Sequence, residues 1–227
     1  MTYDLYIGDR LFSSWSLRGW LLLEKFNLSY NTHLVGLYSG TLAHDLAQLA
    51  PAKLVPAIRT PEGDVVGETM AIVETLADRH PDAGHWPRDP GARILARWLC
   101  AEMAAGFGAL RSECPMQLQF RHVGFEPSQP VLDDLNRIEY LWSLARTRHG
   151  ASGPWLFGEY SAADAFYAPV AARIVGYGWP VGQDATEYCA QTIFDPAFLA
   201  WREKAQEITY DPFPYPQDLS NAPWPTN

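Results

Sequence analysis

Apolar positions along the chain change period several times, and each change marks an element. Tyr3 to Ile7 alternates and predicts a strand. From Trp15 to Phe26 the apolar residues recur as Leu17, Trp20, Leu21 and Leu23, the spacing of a helix face, with Ser14 as its N-cap. Ser29 to Val35 predicts a second strand. Thr41 to Leu49, with Leu42, Leu46 and Leu49, predicts a short helix that Pro51 ends. Val55-Pro56-Ala57-Ile58 and Val65-Val66 flank a turn at Glu62-Gly63-Asp64 and predict a hairpin. Met70 to His80, with Ile72, Val73 and Leu76, predicts the next helix. The order β-α-β-α-β-β-α implies a four-stranded mixed sheet.

Residues 81–90 carry Pro81, Gly84, Pro87 and Pro90 and read as a linker. Beyond it no strand is expected. Ala92 to Arg111, with Ile94, Leu95, Trp98, Leu99 and Met103, predicts a long helix. Val131 to Arg148, with Leu135, Ile138, Leu141, Trp142 and Ala145, predicts another. Ser161-Ala162-Ala163-Asp164 opens a third, since a hydroxyl with an acid three residues on is a capping-box variant. Pro169 falls inside that helix and is expected to kink it. Asp195 to Ile208 predicts a last helix with Pro196 at the permitted first turn. The tail from Asp211 to Asn227 holds five prolines and is expected to run extended over the surface or to be disordered. The chain thus divides into an α/β domain over 1–80, a linker over 81–90 and an all-α domain over 91–227, with no internal repeat.

Composition narrows the function. The chain has 227 residues, 48% apolar and 19% charged, ordinary values for a globular protein. A net charge of -9 argues against nucleic-acid binding through a basic face. Cys100, Cys114 and Cys189 are widely spaced and fit a reducing compartment better than a disulfide scaffold. The N-terminus does not read as a signal peptide and no apolar run is long enough to span a bilayer. A cytoplasmic location and no membrane partner are expected. The histidines at 33, 44, 80, 85, 122 and 149 show no metal-ligand spacing, so no metal is expected.

The stretch from Val55-Pro56 to Glu68-Thr69 carries candidate chemistry. An X-Pro step presents backbone to a ligand, and a helix start offers unpaired N–H groups and a positive dipole end to a carboxylate. Glu68 can accept hydrogen bonds from an amine. Together these suit a small amino-acid-like ligand.

With its neighbours, this stretch resembles the cytosolic glutathione transferase family. Val55-Pro56 looks like that family's cis-proline, Glu68-Thr69 like its Glu-Ser/Thr pair, and Ser161-Ala162-Ala163-Asp164 like its buried box. Ser13-Ser14-Trp15-Ser16-Leu17-Arg18 resembles the Ser-Ser-Cys-Ser-x-Arg turn of the zeta class, which includes maleylacetoacetate isomerase. The resemblance covers residues 3 to about 208. It implies a thioredoxin-like N-terminal domain that binds glutathione as co-substrate through Val55, Pro56, Glu68 and Thr69. It also implies a helical domain for a small electrophile, and a homodimer.

The resemblance places the chemistry at the serine turn. A thiol of pKa ~8.5 is mostly protonated at neutral pH, and its thiolate is the nucleophile. Lowering that pKa by about two units requires roughly 2.7 kcal/mol. A hydroxyl donating to the anion supplies about 1.5–3 kcal/mol and a helix N-terminus up to ~2 kcal/mol. One serine therefore suffices. Matching the zeta turn selects Ser13; counting back from Arg18, as in a delta-type turn, selects Ser14, which also reads as the N-cap and is placed ahead.

Several positions depart from the family pattern. Trp15 stands where the zeta turn has cysteine, so no mixed disulfide with glutathione can form there. Ala50 stands where many members have Asn. Leu54 stands where many have Lys or Gln; Lys53 is the candidate substitute for reaching the glycine end of glutathione. Gly176 aligns with the isomerase's substrate-binding arginine, and Arg173, one turn earlier, is free to face cleft or solvent. Met103, Phe107 and Arg111, at spacings of four on one helix, are expected to line the co-substrate pocket with Phe12, Trp15 and Tyr38. Three readings compete: a transferase adding glutathione to an electrophile, a glutathione-dependent cis-trans isomerase, and a weakly catalytic binding module.

Overall fold

The computed structural model describes residues 1–150, 153–207 and 214–226. Its first eighty residues build β1 (Tyr3–Ile7), α1 (Ser14–Glu24), β2 (Tyr30–Leu34), α2 (Leu42–Asp45), β3 (Ala57–Arg59), β4 (Val65–Gly67) and α3 (Thr69–Arg79). The sheet order is β2-β1-β3-β4, with β1 and β2 parallel and the other pairs antiparallel. This is the mixed sheet that the period changes predict. Side chains alternate across it. Tyr3, Leu5 and Ile7 enter the main core with α1 and α3, while Tyr6 packs on the other face with Val35, Leu46, Leu49 and Ala57. The helix expected over Thr41–Leu49 is broken: α2 stops at Asp45, and Ala47–Leu49 is a 3-10 turn.

The remainder builds α4 (Pro90–Ala105), α5 (Gly108–Glu113), β5 (Phe120–Val123), α6 (Gln129–His149), α7 (Ala162–Tyr177), α8 (Gln183–Ile193), α9 (Pro196–Ala205) and β6 (Ser220–Pro223). Helix α7 is buried on nearly every side, and α1, α4 and α8 pack around it. Its capping box is complete. Asp164, 1% exposed, accepts from the Leu156 and Ser161 N–H groups, the Ser161 hydroxyl and the Tyr188 hydroxyl, at 2.9–3.1 Å. Residues from both halves of the chain share one core; Trp20 of α1 lies 5.2 Å from Trp201 of α9 between ring centroids.

Three expectations for this half need correction. The helix over Ala92–Arg111 is two helices, because Gly106 leaves the helical region and Phe107 turns left-handed at φ 56°. The half is not purely helical: β5 pairs antiparallel with β6, so part of the tail is a strand. Helix α8 carried too mixed a pattern to be expected. The last helix ends at Ala205; its expected end at Ile208, and tail residues 211–213 and 227, lie outside the described residues.

The segment 81–90 is packed against both halves. His85, 1% exposed, lies with Nε2 2.9 Å from the Leu22 carbonyl, which makes Nε2–H the donor, and its own carbonyl accepts from Ala162 N–H. Its Nδ1 is buried without a partner among the described residues, and desolvation pushes the ring down to about 4. The unfolded chain takes up this proton near pH 6.5 and the folded chain only near 4, so stability falls as the pH drops through that window. His85→Gln removes this slope. The parent-minus-variant difference in unfolding free energy, from urea titrations at pH 7 and pH 4, is expected to shrink by on the order of 2–3 kcal/mol. An unchanged difference refutes the assignment.

Candidate functional site

Strand register brings the separate motifs together. Ala57 pairs with Gly67 across β3 and β4, so Pro56 and Glu68 lie side by side at one end of the hairpin. The Val55–Pro56 peptide is cis, as is Ala50–Pro51. Gly19 of α1 abuts the proline: a Cβ there would sit 2.6 Å from Pro56 Cβ, so only glycine lets α1 approach this closely. Glu68 has φ 60° and ψ 121°, a strained backbone for a residue with a side chain, of the kind that clusters at ligand sites. Its carboxylate is exposed and has no partner among the described residues. Thr69, 4% exposed, begins α3.

The serine turn follows β1. Asp9 Oδ1 accepts from Leu11 and Phe12 N–H at 2.8 and 3.0 Å and shapes the approach to α1. The N-cap is Ser13, not Ser14: Ser13 Oγ accepts from Ser16 N–H at 3.3 Å and donates to Ser16 Oγ at 2.8 Å. Ser16 Oγ in turn accepts from Gly8 N–H at 2.9 Å. Ser13 is thus committed inside the turn. Ser14, the first helical residue, is half-buried, and its hydroxyl has no hydrogen-bond partner among the described residues.

Two adjoining cavities meet here. The smaller, about 230 Å³, is lined by Val55, Pro56, Glu68, Thr69 and the side chains flanking them. The larger, about 680 Å³, is lined by Phe12, Ser13, Ser14, Tyr38, Arg173 and Tyr215 among others, none of them a carboxylate. Trp15, Leu54, Val55 and Arg111 belong to both.

Three sequence-predicted positions lie elsewhere. Met103 is fully buried and Phe107 is 6% exposed, both in the core. The break at Gly106 and Phe107 removes the continuous helix face on which their spacing relied. Lys53 is exposed and lines neither cavity, whereas Leu54, 64% exposed, lines both. Sequence reasoning missed Tyr215, whose hydroxyl lies 3.0 Å from that of Tyr38 and whose ring meets Phe12 edge-on. A proline-rich tail carries no periodicity to reveal such a contact. It left Arg173 open; the side chain lies at the cleft, its Nε donating to the Cys114 carbonyl at 2.8 Å. Burial pushes Arg173 down to about 10. Among the described residues no cluster of three or more His, Cys, Asp or Glu is placed to hold a metal, and no helix is long and apolar enough to cross a membrane.

The mixed sheet, the serine turn at the start of α1 and the helices gathered around α7 define the architecture of a thioredoxin-like domain joined to a helical one. Residues 12–79 match the family model described as the glutathione S-transferase N-terminal domain. A probable maleylacetoacetate isomerase of Caenorhabditis elegans is 33% identical over 141 residues, 60% of this chain and 64% of that protein. The match thus spans just under two thirds of that relative's length. Maleylacetoacetate isomerase of Rattus norvegicus is 26% identical over 178 residues, 74% of this chain and 76% of that one. Among solved structures, a glutathione transferase homolog from Burkholderia with bound glutathione superposes with a TM-score of 0.69 at 20% identity, covering 92% of this chain and 100% of that one. Ure2p in complex with S-hexylglutathione gives 0.66 at 17% identity, covering 88% and 97%. Residues 12–79 thus match the glutathione S-transferase N-terminal domain, and the chain as a whole is similar in fold to glutathione transferases.

Proposed function

We propose that the protein is a glutathione transferase in which Ser14 stabilises the thiolate of bound glutathione for attack on a small electrophile. The observation that carries this reading is the unpartnered Ser14 hydroxyl at a helix N-terminus, lining the larger cavity beside the Val55–Pro56 step. Glutathione occupies the smaller cavity. Glu68 accepts from its amine, the N–H groups at the start of α3 face its γ-glutamyl carboxylate, and the Val55 backbone pairs with its cysteinyl unit. Its thiol then points to Ser14. The donated hydrogen bond and the helix N-terminus together supply about the 2.7 kcal/mol that a two-unit drop in thiol pKa requires. No general base is needed, because the thiol proton leaves to solvent. With Leu54 at the position expected to be polar, the glycine end gains an apolar contact there instead of an ion pair.

The larger cavity holds the electrophile. Arg111 and Arg173 line it with no facing carboxylate, so it favours an electrophile that carries negative charge. The same pair supports a second reading, a glutathione-dependent isomerase acting on an unsaturated carboxylate, in which the thiolate adds to a double bond and is expelled after rotation. The curated relatives carry isomerase names. In both readings residues 1–80 form the glutathione domain and 91–227 the co-substrate domain.

Calorimetric titration tests the glutathione site. Micromolar-to-millimolar binding is expected, weakened at least tenfold in Glu68→Ala, which removes the charged acceptor. No binding by the parent chain refutes both readings. Turnover of maleylacetoacetate matching or exceeding the best conjugation rate selects the isomerase.

A further inference from the structure

Arg111 and Arg173 line the larger cavity, Arg18 is buried against Trp15, and among the described residues none of the three forms an ion pair. Arg18 is 1% exposed. Its Nε donates to the Phe166 carbonyl at 2.7 Å and its Nη1 to the Ser14 carbonyl at 3.3 Å, while Nη2 is buried with no partner among the described residues. Arg111 and Arg173 also bond only backbone carbonyls. The Trp15 ring lies near two of these cations, with the Arg18 guanidinium 4.3 Å and the Arg111 guanidinium 5.2 Å from its centroid. Elsewhere Arg79, Arg97 and Arg137 each pair with a glutamate. A chain of net charge -9 has ample carboxylates, yet among the described residues none forms an ion pair with these three arginines.

A buried guanidinium without a counter-charge is costly, and arginine does not escape by losing its proton. Burial, and after it the repulsion of Arg173 and Arg111, push the Arg18 pKa well down, against the opposite pull of Tyr167 and Cys100. The charge is therefore held in a buried site, bonded to the backbone carbonyl of the residue whose hydroxyl lines the cleft. An anion arriving beside Ser14 supplies what the folded chain lacks.

We propose that Arg18 is a positioning residue for the thiolate: its uncompensated charge sets the potential at the serine turn, and its bond to the Ser14 carbonyl fixes the Ser14 hydroxyl toward the sulfur. This deepens the glutathione reading and rests on it. Ser14 donates the hydrogen bond; Arg18 makes no contact with the sulfur and exchanges no proton. Its field acts through a poorly solvated region, where charge is screened far less than in water. A purely structural role would be the tie from α1 to α7 through Phe166, which depends on the guanidinium fork and not on the effect of its charge on a ligand.

The test is the pH dependence of thiolate absorbance for glutathione bound to the parent chain, R18K and R18Q. In R18Q the bound thiol pKa is expected to rise by about one unit, a tenfold smaller thiolate fraction at a pH below it. R18K, which keeps the charge, is expected to stay within about 0.3 unit of the parent. Should R18Q fail to fold, R18M, which keeps the length of the side chain without its charge, decides, with the same one-unit rise expected. Glutathione bound with an unmoved pKa in R18Q, or in R18M, overturns the role of Arg18. Equal shifts in R18K and R18Q also overturn it, since they assign the effect to the fork alone. A parent chain that binds no glutathione fails at an earlier step, the proposed function itself.

Discussion

Ser14→Ala is expected to lower kcat/KM for conjugation of a chlorodinitrobenzene-type electrophile by at least tenfold, and by up to about a hundredfold at pH 6.5. A hydroxyl donating to an anion contributes roughly 1.5–3 kcal/mol, and each 1.36 kcal/mol is a factor of ten in rate. The loss lies in the thiolate fraction, so it is expected to diminish as the pH rises past the pKa of free glutathione, where solvent supplies the deprotonated thiol. The pH profile of kcat/KM should shift upward by one to two units, while glutathione affinity measured by calorimetry changes little. Ser13→Ala is expected to behave differently. Ser13 already donates to Ser16 Oγ and caps α1, so its loss costs about 1 kcal/mol of stability and leaves the pH profile near the parent's. A displaced profile in Ser13→Ala with an unchanged one in Ser14→Ala would reverse the assignment. Full rate in both variants would place the thiolate's stabilisation elsewhere.

The largest effect on stability is expected at Asp164. Four donors converge on its two oxygens, two of them backbone N–H groups with no freedom to turn away. Asp164→Ala leaves these buried donors without an acceptor and opens a cavity at the start of the most buried helix. A loss of roughly 3–5 kcal/mol is expected, read as a lower urea midpoint at constant m. Because both halves share one core, a single transition is expected to move. A loss below about 1 kcal/mol would show that other groups satisfy the donors. Desolvation pushes Asp164 up to about 6 in spite of its hydrogen bonds. Between about pH 4 and 6 the folded chain keeps a proton that the unfolded chain has released, so this group's contribution falls as the pH rises through that window. Asp164→Asn removes that slope while one amide oxygen continues to accept. The direction is opposite to that of His85, whose contribution is lost as the pH falls over much of the same range.

The cleft shows where local pattern is informative. Glu68 and Thr69 were legible because an acid and a hydroxyl at a helix start imply the same local geometry in many folds, and that geometry is what the site uses. The serine turn was legible as a pair but not in its assignment. Ser14 fits an N-cap by spacing, yet the Asx turn at Asp9 and the Ser16 hydroxyl move the cap one residue earlier. That shift frees Ser14 and occupies Ser13, and neither side-chain contact follows from periodicity. Met103 and Phe107 lay on a helix face only while the helix was taken as continuous. A glycine within a helical pattern is often tolerated, and only the packing of Phe107 into the core turns this one into a break.

The sequence by itself determined the order of elements in the first eighty residues, the main helices of the second half apart from α8 and the break between α4 and α5, the capping box and the residue types that meet at the ligand-facing hairpin end. These follow from contacts within a few positions of each other, for which hydrophobic period and cap chemistry are sufficient. Tertiary structure decided which serine is unengaged, that Arg18, Arg111 and Arg173 form no ion pair among the described residues, that Leu54 and not Lys53 faces the cleft, and that the tail returns to pair with β5 and to place Tyr215 on the cavity wall. Each of these depends on residues far apart in the chain being brought to one place. The net energy of any one such contact is too small to leave a mark in local composition.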